Sequence, residues 1–167
     1  MKYNDIDSNR KLDFSSKVSN KLPIRENNFE ITTEEELLIK ALDEFEDNKN
    51  FKYALLDSFI SAETAIMKFV NKLKLENGVS KNKLDDYKEE VSISYVINIE
   101  IPFLVENLTD DERSVLGRIN RVRKIRNDVV HNGKNVTEQE AREAINAVFD
   151  LLKFIEPEKY KLICRDL

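Results

Sequence analysis

Residues 109–133 read TDDERSVLGRINRVRKIRNDVVHNG, a segment with an identifiable start, period and stop. Thr109 followed by Glu112 is a capping box, in which the threonine hydroxyl accepts from the third helical N–H and the glutamate reaches back to the threonine N–H. Asn132-Gly133 closes the segment, because glycine enters the left-handed conformation that ends a helix. Between these signals, at about 100° per residue, Val115, Ile119, Val122, Val129 and Val130 fall within one apolar stripe. The pattern is that of an amphipathic helix. Two further boxes, Thr33-Glu34-Glu35-Glu36 and Thr137-Glu138-Gln139-Glu140, repeat the start signal elsewhere in the chain.

The remaining segments follow the same period. Leu37, Leu38, Ala41, Leu42 and Phe45 face one way after the first box, until Asn48-Lys49-Asn50. Phe51, Leu55, Phe59, Ala62, Ile66, Phe69 and Leu73 recur at spacings of three and four until Glu76-Asn77-Gly78, an aromatic stripe that belongs to a core. From Ser80 the pattern is helical through Leu84, Tyr87, Val91 and Tyr95. Ile97-Asn98-Ile99-Glu100-Ile101 then alternates as a strand would before Pro102, and a helix broken near Pro102 is the preferred reading. The last long helix carries Ala141, Ala144, Ile145, Val148, Leu151, Leu152 and Ile155, with Pro157 after it. Only three glycines and three prolines in 167 residues leave little room for tight turns. The expected fold is all-α, an antiparallel bundle of four to five helices over residues 31–156, with a polar arm at 1–30 and a tail at 157–167.

With 41% hydrophobic and 35% charged residues the chain can bury the core of one domain. Its single cysteine, Cys164, precludes an internal disulfide and fits a reducing compartment. No apolar run approaches the ~20 residues of a membrane helix, and the N-terminus lacks a signal-peptide core. A cytoplasmic protein without a membrane segment is expected.

Charge distribution narrows the chemistry. The chain is formally -5, yet Arg113, Arg118, Arg121, Arg123, Lys124 and Arg126 fall in a stretch from 113 to 126 that holds no Asp or Glu, directly before the only histidine, His131. Guanidinium forks match phosphate oxygens and stay charged at any working pH. A basic run by itself is usually a solvated face, and a histidine in the last turn is favoured by the helix dipole alone. Arg126 is the exception, since it falls near the middle of the apolar stripe, where a charge requires a partner or a wet cleft. Beside the stripe, Asn120, Arg123, Asn127 and His131 form a polar row, with Asn127 and His131 four residues apart and so placed for the amide to orient the imidazole. Arg126 and His131, five apart, diverge by roughly 140° on a continuous helix. They cooperate only if the helix ends before the histidine, which Asn132-Gly133 favours, or if a second subunit intervenes.

The stretch from Gly117 to Lys134, centred on Arg126-Asn127-Asp128-Val129-Val130-His131 and followed by a capped helix, resembles the HEPN (higher eukaryotes and prokaryotes nucleotide-binding) superfamily. The signature of that family is an arginine, a polar residue, a short spacer and a histidine, R-x(4 to 6)-H, near the end of a helix in a small helical bundle. Arg126, Asn127 and His131 match it, and the resemblance covers residues 33–156. It implies a HEPN-like fold and a metal-independent endoribonuclease of a toxin-antitoxin, phage-defence or RNA-processing system, acting as a homodimer whose motifs face each other.

The chemistry supplies a separate reason for a dimer. Cleavage of RNA by its own 2'-hydroxyl needs a base, an acid and a cation at the phosphate, and the chain has one histidine. A two-fold pair brings two histidines and two arginines to one cleft. On this reading His131 transfers protons, Arg126 binds the scissile phosphate and Asn127 orients the imidazole or substrate, while Arg118, Arg121, Arg123 and Lys124 guide the RNA backbone. No cofactor is expected. One His and one Cys do not make a zinc cluster, no Gly-rich phosphate loop is present, and no serine sits on a nucleophile elbow. The rival expectation is a non-catalytic HEPN-like module that binds nucleic acid, nucleotide or a protein partner such as an antitoxin. A third is a plain helical adaptor that recognises its partner through the arm.

Overall fold

The computed structural model describes residues 31–160; the arm expected over residues 1–30, together with Cys164 and its neighbours in 161–167, lies outside the described residues. Helices α1 (Thr33–Glu46) and α2 (Phe51–Glu76) are followed by α3 (Lys81–Glu90) and α4 (Ile93–Tyr95). A π-helical turn (Val96–Glu100), α5 (Ile101–Leu104), α6 (Asp110–Asn132) and α7 (Glu138–Ile155) complete the order. The described residues form an all-α bundle without strands. Among them no helix is long and apolar enough to cross a membrane.

The bundle forms around α2, which packs against α1, α7 and α6. Leu55, Ile66 and Val70 of α2, Ile119 of α6 and Val148 and Leu151 of α7 are wholly buried. All but Val70 are apolar positions of the expected spacing, and Val70 is buried where the spacing had Phe69, which is only half-buried; burying each contributes roughly 1.5–3 kcal/mol before chain entropy is subtracted. The buried hydroxyls of α2 are satisfied locally or across to α1, Ser58 donating to the Ala54 carbonyl at 2.7 Å and Ser61 to the Glu34 carbonyl at 2.6 Å. Of the three predicted capping boxes those at Thr109 and Thr137 form, with each threonine accepting from the third helical N–H and each glutamate accepting in return, whereas Thr33 is itself the first residue of α1 and not its cap.

Three local expectations are corrected. The helix expected to run from Ser80 through Tyr95 stops at Glu90, because Val91 and Ser92 are extended and the Ser92 hydroxyl accepts from the Tyr95 N–H to start α4. The five alternating residues before Pro102 are helical, wound wide over Val96–Glu100, with the Ile101 N–H donating to the Val96 carbonyl. In a regular α-helix the Pro102 ring would meet the carbonyl four residues back; the wide turn just before it relieves that clash, so helix continues through the proline. Val130, assigned to the apolar stripe of α6, is 50% exposed, since among the described residues no other element covers that part of the last turns.

Past α7 a helical turn at 157–160 docks where the sequence suggested a tail. Tyr160 is buried and donates to Glu35 Oε1 at 2.9 Å, and Lys159 pairs with the same carboxylate at 2.7 Å. Burial, reinforced by the Glu35 charge, pushes the Tyr160 phenol far above its ordinary 10. A value raised by folding contributes stability that is complete below the unfolded value and is lost progressively as pH rises from there through the folded one. Urea unfolding should therefore show the wild type losing about 1.4 kcal/mol more than Tyr160→Phe between about pH 9 and 11. Parallel losses in the two proteins would contradict this account of Tyr160.

Candidate phosphate-binding site on the sixth helix

Helix α6 is unbroken from Asp110 to Asn132, and only then does Gly133, at φ 65°, turn out of it, its N–H donating to the Asp128 carbonyl. His131 is therefore inside the helix. The expectation that the helix ends before the histidine is overturned, and the roughly 140° between Arg126 and His131 stands. Within one chain the two side chains lie on different faces. Val115, Ile119, Val122 and Val129 are buried against the bundle, whereas His131 is exposed.

Arg126 lies on the packing face, half-buried, with its guanidinium carbon 5.7 Å from the centre of the Phe59 ring of α2. Nη1 donates to Asn127 Oδ1 at 3.2 Å. Among the described residues no carboxylate pairs with it. A guanidinium drawn out of water onto a ring face gains a cation–π contact but keeps its full charge for an incoming anion. Asn127, expected to orient the imidazole, serves the arginine instead, and among the described residues no hydrogen bond joins Asn127 to His131.

The remaining cations divide into two groups. Arg118 is engaged, its Nη1 2.7 Å from Asp150 Oδ2 of α7, with Nε buried and, among the described residues, without a hydrogen-bond partner. This pair ties α6 to α7, so Arg118 is occupied where the sequence placed it on an RNA backbone. Arg123 donates from Nε to Asn120 Oδ1 at 2.9 Å, and Asn120 in turn donates to Asn98 Oδ1 at 3.1 Å. Arg113, Arg121 and Lys124 are exposed on the outer face. Phe59 and Asn98 are the site neighbours the sequence reading did not assign to it. Phe59 looked like core alone, and no local spacing connects either residue to the motif.

The turn after His131 is tied to the start of α7. Lys134 Nζ lies 2.6 Å from Glu140 Oε1, and the same carboxylate, through Oε2, accepts from the Thr137 N–H at 3.0 Å. Residues 133–137 are thereby fastened to the first turn of α7. Among the described residues no three His, Cys, Asp or Glu side chains converge as metal ligands would.

The chain matches no protein-family model, no curated protein and no solved structure.

The Lys134 hydrogen bond first, then the Thr137 N–H, holds the Glu140 carboxyl below its ordinary 4.5. A depressed value contributes stability present above the unfolded value and lost as pH falls through the folded one. Glu140→Gln should cost about 0.5–1 kcal/mol at neutral pH, with the gap to wild type closing below about pH 4. Denaturant titrations from about pH 7 to 3 measure it, and a constant gap throughout would contradict the assignment.

Proposed function

We propose that this protein is a metal-independent endoribonuclease of HEPN type that cleaves RNA at a composite site made by two copies of the chain. The observation that carries the reading is Arg126, a guanidinium held half-buried over Phe59 and paired among the described residues with no carboxylate, one and a half turns from the only histidine. A permanent cation without a structural counter-ion, on a packing face, is costly unless an anion comes to it. The exposed Arg113, Arg121 and Lys124 add a field that concentrates a polyanion on this helix.

The mechanism follows from which groups are available. One His131 removes the proton from the ribose 2'-hydroxyl, and the freed oxygen attacks the adjacent phosphorus. The bond from 2'-oxygen to phosphorus forms as the bond to the 5'-oxygen breaks, and the second copy's His131 protonates that leaving oxygen. The products are a 2',3'-cyclic phosphate and a 5'-hydroxyl. Arg126 stabilises the charge that builds on the non-bridging oxygens. Such a protein belongs to a cytoplasmic setting of toxin-antitoxin or phage-defence type, where a protein antitoxin would be a second partner.

The rival reading, a module that binds RNA or a partner without cutting, draws on one observation. Asn127 hydrogen bonds Arg126 and leaves His131 unoriented, as a purely structural arginine network would.

Incubation with single-stranded RNA in excess EDTA separates the two. Cleavage should proceed with 2',3'-cyclic phosphate ends, and His131→Ala should lower the rate at least ~100-fold. Arg126→Lys should also be strongly impaired, because an ammonium lacks the bidentate fork. Both variants should keep the wild-type melting curve. Salt-sensitive RNA binding without any cleavage would support the rival, and full activity in His131→Ala would end the assignment of proton transfer to His131.

A further inference from the structure

Two half-buried cations of α6, Arg123 and Arg126, are held by neutral partners, whereas Arg118 is held by the Asp150 carboxylate. Arg123 donates from Nε to Asn120 Oδ1 at 2.9 Å, Asn120 donates from Nδ2 to Asn98 Oδ1 at 3.1 Å, and Asn98 donates from Nδ2 to the Ser94 carbonyl at 2.7 Å. The donors run one way, from the guanidinium across to the segment before Pro102, and each bond polarises the next. Asn98 lies in the π-helical turn, a winding found mostly at functional sites. Arg126 is held in the same manner, by the Asn127 amide oxygen at 3.2 Å. An amide oxygen offers the acceptor that a carboxylate would, without cancelling the charge. Fixing Arg123 through Nε leaves open the edge formed by its two terminal nitrogens, which among the described residues meet no acceptor.

We propose that Arg123, positioned by the Asn120–Asn98 relay, is a second phosphate seat beside Arg126, and that the two seats take consecutive phosphates of one RNA strand. The proposal rests on the phosphate-binding reading of Arg126 and names what that site grips. The ligand is an internal stretch of a strand, whereas a mononucleotide or a dinucleoside monophosphate fills one seat only. The two arginines are three residues apart and so share one flank of α6. Arg123 is drawn back to residue 120 and Arg126 forward to residue 127, so their anchors stand two helical turns, roughly 10 Å, apart along the axis. One phosphate group is too small to meet both forks at their anchors, while the phosphates of adjacent nucleotides are spread by a sugar. Like charges this close destabilise a helix by themselves, and two phosphates reverse that. A relay that merely ties the π-helical turn to α6 explains less. Val96, Ile97 and Ile101 are buried and already fix that segment to the bundle, and a hydrogen bond reached by water adds little more. A tie made for stability would also gain by ending on a carboxylate, as Arg118 does on Asp150. Asn98 and Asn120 are therefore positioning residues, which act on the phosphate through Arg123.

Binding of a short 2'-O-methyl oligoribonucleotide, which cannot cyclise, tests the seat without needing cleavage, with affinity read by fluorescence anisotropy across a salt series. Each phosphate contact removed from a single strand lowers the slope of log affinity against log salt by ~0.7. Arg123→Ala and Arg126→Ala should each do so, and the double variant should lose ~1.4. Asn120→Asp keeps an acceptor for Nε but neutralises the cation, so it should reproduce the Arg123→Ala slope while the melting curve stays that of wild type. Being nearly isosteric, it carries the test even if the truncated arginine loosens the fold. Asn98→Ala leaves the charge and loosens its positioning, and should weaken binding ~3–10-fold with the slope unchanged. A double variant no worse than either single, the result one shared phosphate gives, would overturn the proposal. So would a wild-type slope in Arg123→Ala or Asn120→Asp, or wild-type affinity in Asn98→Ala. ADP binding as tightly as the oligonucleotide through the same two arginines would overturn it as well, since the pair would then be a diphosphate site. The expected slopes in a protein that cuts no RNA would uphold the seat and remove only the nuclease reading. Cleavage that needs His131, with slopes blind to Arg123, would do the reverse.

Discussion

A guanidinium on the inner face of an uninterrupted helix is the constraint from which the rest follows. Because α6 continues through Asn132, Arg126 is turned towards α2 while His131 is turned to solvent. The Phe59 ring receives the arginine without neutralising it, and burial of the valines and isoleucine around it prevents the helix from rotating to release the charge. Within one chain the two side chains therefore leave the helix in different directions.

Neighbouring contacts keep that helix rigid where rigidity counts. The capping box at Thr109 fixes its start, Gly133 its end, and the Lys134–Glu140 pair fastens the following turn to α7. Arg118 and Asp150 clamp the middle of α6 to the same helix. Of the cations in this basic stretch, one is thus spent on holding the bundle together, one is bound into an asparagine network, and the exposed ones face water. A run of like charges in a sequence is not a single functional unit once folded.

What could be read in advance was what depends on near neighbours. The boxes at Thr109 and Thr137, the stop at Gly133, and the apolar stripes of α2 and α7 are set by contacts within a turn or two, and they form as the spacing implies. The position of Arg126 on the packing face was legible for the same reason. What escaped depends on partners far along the chain. Arg118 is engaged by Asp150 and Arg126 is seated on Phe59, and neither partner is visible in local spacing. Val130 has the right angle to be buried, but among the described residues no element lies above it and it stays exposed. The π-helical winding before Pro102 hides in a pattern that alternates like a strand, because a wider turn changes which residues share a face. Tyr160 lay in a stretch too short to show a period, and its docking on Glu35 is a tertiary event.

The central claim, that Arg126 and His131 serve one phosphodiester, is tested most directly by nuclear magnetic resonance of the labelled chain titrated with a 2'-O-methyl oligoribonucleotide, which binds but cannot cyclise. With one histidine the imidazole nitrogens give a single assignable pair. Saturable shifts of that pair and of the Arg126 Nε resonance, sharing one binding curve while Arg118 stays fixed against Asp150, are the predicted result. Shifts confined to the outward-facing cations, with Arg126 and His131 unmoved at saturation, would contradict it.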